Sequence, residues 1–359
     1  MTENRITQLQ VYNNFIRRKK LTFAVVFLLT IIVAIFAVSA GSLNIPVSEV
    51  IRSFFGKGEP QSQIAVMNIR LPRVFAAIVV GAALAVSGAV MQCVLQNPLA
   101  SASTLGVSQG AAFGAALGII VFGGGVVNSS SAATAVSIDN PYIVTICAFI
   151  FGSLSTFVVI LLSQLKKDLG PGGLILAGVA LSSLFAGGST LLQYFADETK
   201  LSAVVFWTFG NLGSADWTEL LILSVVLLAS LMYFLLNRWN YNAMESGADT
   251  AKSLGVNTRT VMLVSMSICS LTAAVAVSFV GIISFVGLVA PHIMRRFVGN
   301  DYRYLIPCSA VAGALLLILA DTFARMIIAP VILPIGAITS FLGAPLFLYI
   351  LFRGFKNNG

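Results

Sequence analysis

Charge is what this chain has least of. Of 359 residues only 9% are Asp, Glu, Lys or Arg, while 58% are hydrophobic and the mean hydropathy is +0.95; a soluble domain carries roughly 25% charged residues. Thirteen acids and twenty-one bases cannot cover a soluble protein of this length, so the chain reads as an integral membrane protein. Cysteine and histidine are scarce too. Cys93, Cys147, Cys269 and Cys308 stand singly in or beside apolar stretches, without C-x-x-C spacing, and read as small packing residues rather than disulfide or metal ligands. His292, the one histidine, can form neither a metal site nor a proton relay alone. No G-x-x-x-x-G-K-[ST] is present, since the one Gly-Lys lies in Gly56-Lys57-Gly58, so the chain has no phosphate loop of its own. Nor do the apolar segments hold the buried carboxylates that mark ion paths, Asp321 excepted.

What is present is a series of long apolar runs. Leu21–Ala40 is about the length that spans a bilayer as helix. A signal peptide is the rival, because Val38-Ser39-Ala40 resembles a cleavage site, but its apolar core would be about 7–15 residues and this run is longer, so it reads as a retained first span. Nine more follow at Leu71–Leu95, Leu105–Val127, Tyr142–Leu165, Leu174–Phe195, Leu220–Leu236, Val261–Val280, Ile282–Met294, Leu305–Ala324 and Ile335–Phe352. Ile282–Met294 is too short for a full span unless tilted or buried. The runs are continuous rather than alternating, which predicts helices and an all-α membrane protein of about ten spans, with a polar segment 1–20 before them.

With ten spans and the amino terminus inside, 15 of the 21 bases fall in inner segments and eight of the thirteen acids in outer ones. The balance is +10 inside and −2 outside, so the formal +8 is a topology signal and implies no nucleic-acid partner. Both termini then lie in the cytoplasm, and the chain in the cell's inner membrane. The outer segment Ala196–Trp217, with Trp207, Phe209 and Trp217, suits an amphipathic helix lying at the interface.

Small residues recur every three to four positions at Gly81, Ala85 and Gly88 and at Gly110, Gly114 and Gly118, a pattern that lets helices approach closely. It serves packing within one chain or across a dimer seam equally well. Breakers stand at Asn97-Pro98, at Gly170-Pro171-Gly172-Gly173 and at Pro291, where Pro291-His292 is expected to end the eighth segment with the histidine as a cap. Asp321 and Arg325 are spaced to pair on one helix face. Within the inner loop 237–260, Ser246-Gly247-Ala248-Asp249 has the form of a capping box, Thr250-Ala251-Lys252-Ser253-Leu254 continues a short helix, and Gly255 is placed to end it in a left-handed cap.

In sequence order, these residues resemble the FecCD family, the membrane permeases of ABC importers for iron-siderophores, haem and vitamin B12. The likeness runs from Arg70-Leu71-Pro72-Arg73 through Gln96-Asn97-Pro98-Leu99-Ala100, Leu105-Gly106-Val107-Ser108 and Ala251-Lys252-Ser253-Leu254-Gly255-Val256-Asn257. It continues in Phe285-Val286-Gly287-Leu288-Val289-Ala290-Pro291-His292, Ala320-Asp321, Ala324-Arg325, Leu333-Pro334-Ile335-Gly336 and Gly343-Ala344-Pro345.

The resemblance implies the type II importer fold, with a single permease domain over 21–359. It also implies a second permease chain making a homodimer with the pathway on its two-fold axis, two cytoplasmic ATPase subunits that hold the ATP and Mg, and an extracytoplasmic binding protein delivering a metal-chelate substrate. This chain would catalyse no reaction and bind no cofactor or metal. The 247–256 helix would couple to the ATPase; the family's usual pattern has two acids after the glycine, where this chain has Ala248-Asp249. Arg70, Arg73 and Arg325 match the outer arginines that dock acidic residues of the binding protein, with helix-end anchoring as the alternative. The second, fifth and eighth spans would line a greasy, uncharged path. Two other readings fit less well: a secondary transporter lacks its buried carboxylates here, and a membrane-embedded enzyme lacks its polar cluster.

Overall fold

The computed structural model describes residues 2–41, 45–127, 136–138, 140–166, 170–329 and 331–356; Asp139 and Lys167, counted above in the charge balance, lie outside them. The chain runs α1 (Thr2–Ser39), α2 (Val47–Phe54), α3 (Pro60–Ile64), a π turn (Ala65–Arg70), α4 (Leu71–Val94), a 3-10 turn (Ser103–Leu105) and α5 (Val107–Ile120). A short antiparallel pair, β1 (Gly125–Val127) with β2 (Val136–Ile138), puts Val126 opposite Ser137. Then come α6 (Pro141–Leu165), α7 (Pro171–Tyr194), α8 (Glu198–Thr208), α9 (Trp217–Leu236), α10 (Arg238–Glu245), α11 (Ala248–Ser253), α12 (Thr258–Val280), α13 (Val286–Val298), α14 (Tyr302–Met326) and α15 (Ile335–Lys356).

Each of the ten expected runs contains a helix, and among the described residues seven helices are long and apolar enough to cross a bilayer. Proline at the first helical position opens α6 and α7. Side-chain caps come from Asn140, Asp197, Asn257 and Asp301. A full capping box opens α9, where Asp216 accepts from the Glu219 N–H at 2.8 Å and Glu219 returns the bond at 3.2 Å.

Three expectations are corrected. The third run yields α5 of only 14 residues, about 21 Å long, because Gly106 starts it in a left-handed conformation and Val121 ends it. The outer segment is helical only over α8, because Gly210 turns the chain at φ +73° to dock the Asn211 N–H on the Val280 carbonyl at 2.7 Å. Pro291 does not end the eighth helix: α13 runs on to Val298 and stops at Gly299, φ +71°. His292 consequently caps nothing, and its ring sits edge-on to Phe347.

α4 is the axis of the bundle, packed by α9, α12, α13 and α14 and buried along nearly all of its length. The glycines explain how so many helices reach it. A Cβ on Gly81 would collide with the Gly313 carbonyl of α14, and one on Gly88 with the Gly287 carbonyl of α13. Gly110, Gly114 and Gly118 meet the α6 backbone at Phe151, Cys147 and Val144 in antiparallel order. All five therefore pack within the chain. Pro291 belongs to the same contact: having no N–H, it leaves the Gly287 carbonyl without its helical donor, and Gly88 lies against that carbonyl.

Gly88→Val and Gly114→Val are expected to cost about 1–3 kcal/mol or more by forcing helices apart, while Gly172→Ala, whose added carbon meets nothing within 4 Å, stays within about 0.5 kcal/mol. Thermal unfolding of the detergent-solubilised chain checks this; equal midpoints for all three variants would refute it.

Candidate functional site

Two polar clusters occupy opposite ends of α4 and α14. At the first, Asp321 is fully buried and accepts from Arg73 Nε at 2.8 Å on one carboxylate oxygen and from Arg325 Nε at 2.9 Å on the other. Arg325 also donates to the Ala37 and Ala40 carbonyls, each at 2.9 Å, and Arg70 to those of Val38 at 3.0 Å and Ser39 at 2.8 Å. These are the last carbonyls of α1, which have no helical donors and carry the negative end of its dipole. Two guanidinium groups thus stitch α1 to α4 and α14, and the Val38-Ser39-Ala40 segment is buried in that seam.

The three arginines matched to binding-protein docking therefore lie together at this end of the chain. All three are at least nine-tenths buried, and Arg70 and Arg325 bond the end of α1. Arg73 differs, since it spends only Nε on Asp321 and its Nη1 and Nη2 make no hydrogen bond among the described residues. The Asn211–Ser214 turn passes beside it, leaving Gly213 no room for a side chain against Arg73. The i, i+4 pairing of Asp321 with Arg325 is present, but a one-helix reading missed Arg73 as a second partner.

At the other end, α10 and α11 form a compact projection. α11 closes on a Schellman motif, with the Gly255 N–H on the Lys252 carbonyl at 2.9 Å, the Val256 N–H on that of Ala251 at 3.0 Å, and Gly255 at φ +84°. The expected capping box is absent: Gly247 itself is the N-cap at φ +107°, Ser246 ends α10, and Asp249 pairs with Lys252 at 3.1 Å on the surface. Ala251 is buried, whereas Asp249, Lys252, Ser253 and Leu254 face outward.

A network that sequence reasoning missed roots this projection in the bundle. Arg295 of α13 donates to Gln92 of α4 at 2.7 Å and to the Tyr302 hydroxyl at 3.1 Å, and that hydroxyl donates to Glu245 of α10 at 3.3 Å. Asn242 of α10 accepts from the Tyr302 N–H at 2.8 Å and donates to Asp301 at 3.2 Å. The Tyr241 hydroxyl shares a 2.8 Å bond with Ser265 of α12. Burial opposes the charge on Asp301, but the Arg303 guanidinium and backbone N–H and the Asn242 amide outweigh it and hold that carboxyl down at about 2.

Between the two ends, a cleft of about 260 Å³ separates the Ser101–Thr104 turn from Leu84 of α4 and from the start of α13 at Ser284–Leu288. A second, of about 340 Å³, runs from Ser103 and Thr104 along α7 to Ser182 and Ser183. Hydroxyl groups of Ser101, Ser103, Thr104, Ser182, Ser183 and Ser284 punctuate otherwise largely apolar walls. Among the described residues no three His, Cys, Asp or Glu side chains cluster as a metal site, and the four cysteines are unpaired.

The FecCD transport family model matches residues 29–353. The chain belongs to that family. It is 52% identical over 340 residues to a protein of Methanocaldococcus jannaschii named as an ABC transporter permease, covering 94% of this chain and 96% of that one. It is 38% identical to the hemin transport system permease of Yersinia pestis, over 80% of this chain and 83% of that one. A solved structure described as an inward-facing conformation of a metal-chelate type ABC transporter superposes with a TM-score of 0.78 at 31% identity, over 93% of this chain and 99% of that one. This FecCD protein therefore has the type II importer permease fold, is a non-enzymatic membrane component of an ABC importer, and leaves ATP hydrolysis to a separate subunit.

Asp321→Asn is expected to lower stability by about 3 kcal/mol, because it strands two buried guanidinium groups; an unchanged thermal midpoint would show that the cluster is dispensable. Asp301 makes a second prediction. Its carboxyl sits lower in the folded chain than in the unfolded one, so its stabilisation is complete above about pH 4 and fades as pH falls toward about 2. Asp301→Asn should flatten the pH dependence of the thermal midpoint in that window alone.

Proposed function

We propose that this permease moves an iron-siderophore-type metal chelate into the cytoplasm by alternating access, as a homodimer on two cytoplasmic ATPase subunits that carry ATP and Mg, with an extracytoplasmic protein delivering the cargo. The observation that carries the reading is the α10–α11 projection: a capped, outward-facing helix whose root is hydrogen-bonded into α4, α12, α13 and α14. A push on α11 by a closing ATPase dimer reaches the core through hydrogen bonds rather than a loose loop. The positive-inside bias supports putting this end and both termini in the cytoplasm of a cell bearing the chain in its inner membrane.

The opposite end then meets the binding protein, and Arg73 is the arginine whose terminal nitrogens are left for an incoming carboxylate. Support for the second chain comes from α7, where Ala180, Ser183, Gly187 and Thr190 form an exposed small-residue line, and from α15, much of which faces outward. Hydroxyl-lined clefts without a fixed charge suit passage of a bulky chelate without tight binding. Haem, the cargo named for the Yersinia relative, is the alternative, with cobalamin or an oxyanion behind it.

The test is ATP hydrolysis in lipid nanodiscs by the chain assembled with its ATPase and binding protein. Stimulation by the binding protein is expected, with Arg73→Glu weakening its binding at least about tenfold and a scramble of 247–256 releasing the ATPase. If no ATPase associates with the native chain, the proposal fails. Proteoliposome uptake of ferric siderophore against haem and cobalamin then ranks the cargoes.

A further inference from the structure

A ladder of alternating cations and aromatic rings crosses the α10 end of the molecule, and nothing in the transport cycle uses it. Lys19 Nζ lies 4.4 Å from the ring centre of Phe15 and 5.1 Å from that of Tyr304. The Arg303 guanidinium follows at 5.7 Å from Tyr304 and 5.0 Å from Trp239, and that of Arg238 lies 6.0 Å from Trp239 on its side of the ladder. Helices α1, α10 and α14 each contribute. Asp301 is paired into it, to Lys19 at 3.5 Å and to Arg303 at 2.8 Å, so among the ion pairs of the described residues the ladder's three cations have one carboxylate between them.

Arg238 is the cation left over. Its guanidinium makes no hydrogen bond among the described residues, and its Nε is buried without a partner. A buried donor left in that condition is costly, and stacking on one ring does not replace the missing acceptor. More positive charge surrounds it, since Arg17, Arg18 and Lys20 are exposed on α1. The aromatic member between Arg238 and Arg303, Trp239, is itself 57% exposed, as suits an amphipathic ring at a bilayer interface. Two residues along the chain from the ladder's cations, Leu21 follows Lys19 and Leu236 precedes Arg238, each in an apolar run, and both are exposed.

We propose that this surface between α1, α10 and α14 seats the phosphate headgroup of an anionic lipid, with Arg238 and Arg303 on the phosphate, Trp239 at the level of the glycerol, and the acyl chains along Leu21 and Leu236. The chemistry required is a phosphate joined to hydrocarbon: the cations alone would take any phosphate, and the exposed leucines and tryptophan select the lipid. The inference rests on the orientation given under Proposed function, which puts this end at the cytoplasmic leaflet. Bound there, the lipid would tie α1 to the root of the α10–α11 projection.

The experiment is native mass spectrometry of the delipidated full-length permease, without its ATPase, titrated with an equimolar mixture of phosphatidylglycerol and phosphatidylcholine. The one-lipid adducts are expected to favour phosphatidylglycerol by about tenfold or more, Arg238→Gln to reduce that preference by about fivefold, and Arg238→Gln/Arg303→Gln to bring it within about twofold of parity. Arg303→Lys, which keeps the charge and the pairing to Asp301, should retain the preference. A native ratio below about twofold overturns the proposal, as does an undiminished ratio in Arg238→Gln, which breaks no hydrogen bond within the chain. Displacement of the lipid by millimolar inorganic phosphate would show a soluble-anion site and overturn it too. The readout uses the permease alone, so a failure of ATPase association would leave it intact and would count only against the transport reading.

Discussion

Backbone contact along α4 is the constraint on which the rest of the structure depends. In lipid, helices gain little from hiding apolar side chains from one another, so close packing has to come from surfaces that fit. α4 meets α14 where Gly81 faces Gly313, and α13 where Gly88 faces Gly287. Pro291 completes the second contact by removing the donor that would otherwise engage the Gly287 carbonyl. A bulky side chain at any of these positions would push away the helices that carry both polar clusters.

Those clusters solve one problem at two ends. Helix termini leave carbonyl and amide groups unsatisfied, and at the edge of a membrane protein something has to meet them. At one end the carbonyls of α1 are met by Arg70 and Arg325, with Asp321 holding Arg325 and Arg73 in place. At the other, Tyr302 and Asn242 bind α10 to the start of α14, while Arg295 links α13 to α4. The chain is consequently a set of stiff rods fastened at both ends, with hydroxyl-lined clefts between α4, α7 and α13.

The same geometry separates the surfaces offered to partners. α11 stands clear of the bundle with only Ala251 buried, as a docking element has to, while Tyr241, Tyr302 and Asn242 beneath it are tied inward. The arginine end is closed, and its spare donors are concentrated on Arg73. The cation and aromatic ladder beside α10 belongs to neither surface, and its Trp239 is exposed.

Much of the architecture was legible in the chain because hydropathy is a local quantity: each of the ten apolar runs holds a helix, and Gly255 ended α11 in the left-handed conformation its position required. Local patterns misled where a neighbour in space decided the outcome. Ser246 and Asp249 had the spacing of a capping box, but Ser246 was taken up as the end of α10 and Asp249 by Lys252. Pro291 had the look of a terminus, but α13 continued through it because its free carbonyl is packed against Gly88. The family motif brought out Arg70, Arg73 and Arg325; only the fold revealed that two of them close the end of α1 and one keeps donors to spare. The inner network was invisible for the same reason, since Gln92, Glu245, Arg295 and Tyr302 lie as much as 210 positions apart in the chain and meet only because α4, α10, α13 and α14 converge. Sequence alone determined which segments are apolar enough for a membrane, because transfer free energy is a local property of each run; tertiary structure decided which polar groups find partners, because hydrogen bonds act only between atoms that packing has already brought together.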